Sequence, residues 1–141
     1  MQVYNFEFLS KEAEVALSVN PVLKDKIQKS TKLAAEEVID LLTEVFCFLQ
    51  LTAFSNERLT PSYVVDLAWH ELILFTKYYA ETCQRLFGRF IHHYPGGDDL
   101  ENKIGFKKTH YWYSKIFKRE APALYWGNIL AEIADESDCG V

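Results

Sequence analysis

Between Lys32 and Phe54 the chain reads KLAAEEVIDLLTEVFCFLQLTAF, with Glu36, Glu37, Asp40 and Glu44 on one stripe and apolar side chains on nearly every other bearing. A helix with so narrow a polar stripe cannot lie on a surface. Its apolar flanks need cover on several sides, which places it in the middle of a helical bundle. The most apolar part, VFCFLQLTAF at 45–54, is ten residues long and contains Gln50. A bilayer crossing takes about 20 apolar residues, so no membrane span is expected.

A second long helix is predicted over 62–87. On a wheel of about 100° per residue, Val65, Ala68, Trp69, Leu72, Phe75, Tyr79, Cys83, Leu86 and Phe87 share one apolar face. Thr60-Pro61 supplies a capping hydroxyl and a first-position proline, and Gly88 the left-handed residue that ends the helix. Asn20-Pro21 divides the N-terminal region into two short helices, KEAEVALSV and a second running to about Gln28. RFIHHYPGGDD has loop chemistry, and Asp98 with Glu101 starts a helix that runs to Phe117, with Gly105 interrupting its first turns. NILAEIADE forms a last short helix. The result is an all-α fold, an irregular bundle of four to six helices around two long central ones. Residues 1–141 form a single domain, with an extended arm over 1–9 and a flexible tail over 137–141.

The 141 residues suffice for one core without staples. A net charge of -5 argues against nucleic acid and anionic membranes, whose affinity depends on clustered Lys and Arg. Cys47, Cys83 and Cys139 are odd in number and lack CxxC spacing, and the N-terminus has no signal-peptide pattern, so a cytoplasmic protein is expected.

Chemistry concentrates in 61–95, PSYVVDLAWHELILFTKYYAETCQRLFGRFIHHYP. Asp66 and His70 are i, i+4, so a carboxylate can orient an imidazole there, either as a local clasp or as part of a site. Cys83, His92 and His93 are zinc-type ligands, and His110 is a fourth candidate. On an unbroken helix His70 and Cys83 lie about 20 Å apart, so they cannot share an ion. The loop at 89–93 then folds back beside Cys83 and barely approaches His70. His92 and His93 serve equally as loop anchors near a helix C-terminus. No nucleophile elbow, phosphate loop or HExxH is present, since position 74 is Leu74. The aromatics Phe106, Tyr111, Trp112, Tyr113, Phe117, Tyr125 and Trp126 are dense enough for an interaction patch, with Tyr111, Trp112 and Trp126 as its exposed members.

The order PSxxVDxxWHxxIL, TxxYxxxC and FGRFxHHxP, followed by FKREAPALYWG, resembles the glycine-rich domain-containing protein-like family of plant and short bacterial proteins over residues 33–127. Its pattern falls on Pro61, Asp66, Trp69, His70, Tyr79, Cys83, Gly88, His92, His93 and Pro95. A second histidine frequent in the plant members is Leu72 here, and the glycine-rich segment is absent. The resemblance implies a helical region with a set of polar residues, and no assigned reaction.

Two functional readings follow. The first is a small cytoplasmic module that binds a protein partner, without a cofactor and without catalysis, with Asp66, His70, His92 and His93 as its polar focus. The alternative is a zinc-binding protein, or a metal- or cysteine-dependent enzyme, using Cys83, His92, His93 and His110. The identity of the partner and the oligomeric state do not follow from the sequence.

Overall fold

A computed structural model describes residues 2–127, and all regular structure among them is helical. The described residues form seven helices: α1 Phe6–Val19, α2 Pro21–Thr31, α3 Ala35–Ser55, α4 Tyr63–Ile73, α5 Thr76–Phe87, α6 Asp99–Phe117 and α7 Ala123–Trp126. The expected helix at NILAEIADE and the tail at 137–141 lie outside the described residues.

The two N-terminal helices are punctuated as their sequence dictates. The Asn5 side chain accepts from Phe8 N at 2.8 Å, and Asn20 closes α1 by donating its amide to Ala16 O at 2.9 Å. Pro21 then occupies the first position of α2, where a missing N–H costs nothing. Helix begins at Phe6, so the extended arm is shorter than the nine residues expected. Its anchor is Gln50, fully buried on α3, whose Oε1 accepts from Tyr4 N at 2.7 Å and whose Nε2 donates to Tyr4 O at 2.8 Å.

Every residue from Leu41 to Leu51 of α3 is buried, and α1, α2, α4 and α6 pack around it. By length and composition α3 could cross a bilayer, so its apolar extent exceeds the ten-residue run that the sequence suggests. In the fold 67% of its apolar window is covered by protein, and its three buried polar side chains, Thr43, Glu44 and Gln50, all have protein partners. That is the arrangement of a core helix. Glu44 Oε1 accepts from Tyr113 Oη at 2.7 Å and from Trp126 Nε1 at 2.9 Å, joining α3 to α6 and α7. Burial pushes the Glu44 carboxyl above its ordinary range, against the downward pull of these two bonds and of Arg119. Trp126, expected on the surface, is 1% exposed. Its indole N–H is drawn to Glu44, the one buried carboxylate among the described residues. Trp112 is half-buried, donating to Glu57 Oε2 at 2.7 Å, and Tyr111 is exposed.

The second long helix is in fact two. Phe75 N bonds to Leu72 O at 3.1 Å in a tight turn, and Tyr79 N to Phe75 O at 2.8 Å opens α5. No glycine or proline marks the break. The break accompanies a tertiary contact: Trp69 Nε1 donates to Tyr79 Oη at 3.0 Å, whereas ten residues of continuous helix would hold those positions about 15 Å apart along the axis. Ser62, rather than Thr60, caps α4, accepting from Val65 N at 3.3 Å and donating to Tyr125 O at 2.6 Å. Gly88 ends α5 in the left-handed conformation, φ 74°, as expected.

Gly105 does not interrupt α6. A Cβ at this position would collide with Thr60 Oγ1 and lie 3.2 Å from Thr60 N, so the glycine lets α6 approach the 56–62 connector closely. Thr109 Oγ1 seals that contact by donating to Thr60 O at 2.8 Å.

Candidate functional site

Breaking the helix after Ile73 brings the 88–97 loop over the first turns of α4. Tyr79 fixes the loop: it accepts a hydrogen bond from the Trp69 indole N–H and donates one to Ile91 O. Ile91 is 1% exposed and acts as an apolar anchor. Side chains alternate from there, so His93 turns back toward α4 while His92 turns outward, edge-on to Phe90 at 4.6 Å.

His93 Nε2 lies 2.7 Å from Asp66 Oδ1. Its ring centroid is 4.3 Å from that of His70 and 4.5 Å from that of Trp69. Asp66 stands in the first turn of α4, where the helix dipole favours a carboxylate. The hydrogen bond of Asp66 thus goes to His93 across the loop, where i, i+4 spacing pointed to His70. One ligand atom from each of Asp66, His70 and His93 falls within 4.8 Å of the others, so these three residues could hold a metal ion.

The residues expected to ligate together are distributed differently. Cys83 is 1% exposed on the inner face of α5, and burial pushes its thiol up, partly offset by contacts with the Ile91 backbone and Tyr79. A thiol held protonated is a poor nucleophile and a poor ligand. His110 sits on α6 between Phe106, 4.6 Å away, and Trp126, 6.1 Å away. Burial pulls its imidazole down and its Nε2 is buried without a hydrogen-bond partner. Cys83, His92 and His110 are therefore not gathered around His93; Asp66 and His70 are. Their convergence had no local signal, because it depends on the turn at 74–75.

The cluster opens into a cleft of about 1040 Å³. Buried Phe48 and Trp69 form its base, and Arg58, Tyr63, Arg89 and the Gly96-Gly97 turn line its sides. Glu57 also borders it, with its carboxylate held by Trp112 and by Lys108 Nζ at 3.4 Å. A smaller groove of about 530 Å³, between Tyr63, α6 and α7, contains none of the histidines.

Fold and site together define a small all-helical domain with an Asp/His/His cluster in a cleft. A family model described as UCP032817-like matches residues 10–116, and the chain belongs to that family. The description names no activity. No curated protein and no solved structure matches the chain. The resemblance to a glycine-rich domain-containing family is corrected by this match, and nothing indicates a glycine-rich domain family. Much of the motif that suggested it consists of structural joints: Trp69, Tyr79 and Gly88 shape the helix break, the loop anchor and the helix end.

Proposed function

We propose that this protein is a binding module whose cleft holds a divalent ion of the zinc class through Asp66, His70 and His93. The observation that carries the reading is the convergence of two imidazoles and one carboxylate within 4.8 Å at the wall of an open cleft. Two histidines and an acid are the donor set of zinc sites that keep a position free for a further ligand. The same set with open positions also suits other divalent first-row metals. Ligand atoms around a tetrahedral zinc stand about 3.3 Å apart, so the 2.7 Å contact of His93 with Asp66 must widen slightly as an ion enters between them. Trp69 and the Tyr79–Ile91 link supply the outer support that holds the loop histidine. Burial and the raised pKa of Cys83 favour a structural thiol over a cysteine-based enzyme.

The untagged 141-residue chain, stripped with a chelator and titrated calorimetrically with zinc, is expected to bind one equivalent. His93→Ala and Asp66→Ala should remove that binding, while Cys83→Ala should leave it unchanged. Absence of binding, or binding indifferent to His93→Ala, overturns the reading. The 2.7 Å contact favours one other reading, a metal-free Asp66–His93 clasp. In that case His93→Ala lowers the melting temperature and zinc does not raise it in the parent protein.

A further inference from the structure

We infer that the cleft takes a small oxyanion ligand, carboxylate- or phosphate-bearing, that completes the coordination of the ion at Asp66, His70 and His93; the inference rests on the metal reading. Three protein ligands leave at least one position open, and the cleft is the space into which it opens. Its volume, about 1040 Å³, is that of a small-molecule site.

The charge of the walls selects the ligand class. Two acidic and two basic side chains line the cleft: Glu57 and Asp66, Arg58 and Arg89. Glu57 is engaged by Trp112 and Lys108, and Asp66 is a ligand to the ion. The two arginines are less committed. Arg58 meets Glu101 at 3.6 Å, with both side chains more than half exposed, a weak pair. Arg89 makes one long hydrogen bond, 3.4 Å from Nη2 to Thr52 O, leaving most of its guanidinium donors available. With a divalent ion in place the cleft carries a net positive field, and an oxyanion bound in it can draw on the guanidinium donors that its walls still offer.

Cobalt-loaded protein tests this, because the visible spectrum of cobalt(II) changes when an anion enters its coordination sphere. Inorganic phosphate and succinate are titrated separately, and the arm that perturbs the spectrum distinguishes phosphate from carboxylate. Arg89→Ala is expected to weaken the responding anion about tenfold, with cobalt affinity and melting temperature unchanged. Cobalt binding without a spectral response to either anion up to about 10 mM overturns the inference alone. A response untouched by both Arg89→Ala and Arg58→Ala also overturns it. Failure to bind cobalt or zinc overturns the metal reading and this inference with it.

Discussion

The hydroxyl of Tyr79 decides where His93 stands. It accepts a hydrogen bond from the Trp69 indole and donates one to Ile91 O, in surroundings dry enough that burial, reinforced by Cys83, pushes the phenol well above its ordinary range. Tyr79→Phe leaves the Trp69 N–H and the Ile91 carbonyl without this partner. A loss of about 1–3 kcal/mol is expected for buried groups stranded in this way, readable in the denaturant midpoint. Zinc affinity should fall as well, since the loop that carries His93 loses its tether. An unchanged midpoint with unchanged zinc binding would show that the loop is held by other contacts. At this scale the sequence was only partly legible. The residue types were visible in DLAWHELILF and FGRFIHHYP, but Asp66 and His93 are 27 positions apart, and no periodicity reports on a contact that a distant phenol arranges.

Among the helices, Gly105 shows how one missing side chain sets the spacing between two elements. Alanine usually favours a helix over glycine by about 1 kcal/mol. Here its methyl would press on both the side chain and the backbone of Thr60, so Gly105→Ala is expected to destabilise the fold by about 1–3 kcal/mol, as overpacking does. Thr60→Ala added to it should recover part of the loss, because the nearest clashing atom is then gone. If Gly105→Ala melts at or above the parent temperature, α6 and the connector have room that the structure denies. Helix identity was legible at several of the chain's own punctuation marks: Asn20-Pro21, Asp98 and Gly88 act as their chemistry predicts, whereas Thr60-Pro61 stand two residues too early and Ser62 caps α4. The division of 62–87 was not legible. Leu74 and Phe75 carry no breaker signal, and the apolar face continues across them. The turn goes with the Trp69–Tyr79 hydrogen bond, a contact between positions ten apart that no local pattern reports.

For the molecule as a whole, the core was the most legible feature, because a helix apolar on nearly all bearings has one place to go. What the sequence did not disclose was that Glu44, on its polar stripe, would be enclosed at 1% exposure and become the meeting point of α3, α6 and α7. This gives the stability a definite pH dependence. The folded carboxyl is raised above 4.5, so its contribution is fully present below that value and is lost as pH climbs through the folded pKa. Glu44→Gln keeps an acceptor for Tyr113 and Trp126 but cannot ionise. The parent should therefore lose stability relative to Glu44→Gln as pH rises from about 4.5 through the raised folded pKa, measured as paired denaturant midpoints. A constant gap across that range would remove Glu44 as its source. The grip of Gln50 on residue 4 has a different kind of consequence. Both bonds go to main-chain atoms, so α3 reads the presence of a peptide group there and is indifferent to the side chain attached. Substitutions at Tyr4 should leave that clamp intact, with proline as the exception because it has no N–H to offer. A buried amide has, in effect, fixed residue 4 in space through its main chain alone, and the stacking of the Tyr4 ring on Phe8 at 4.4 Å is a separate contact that substitution would remove.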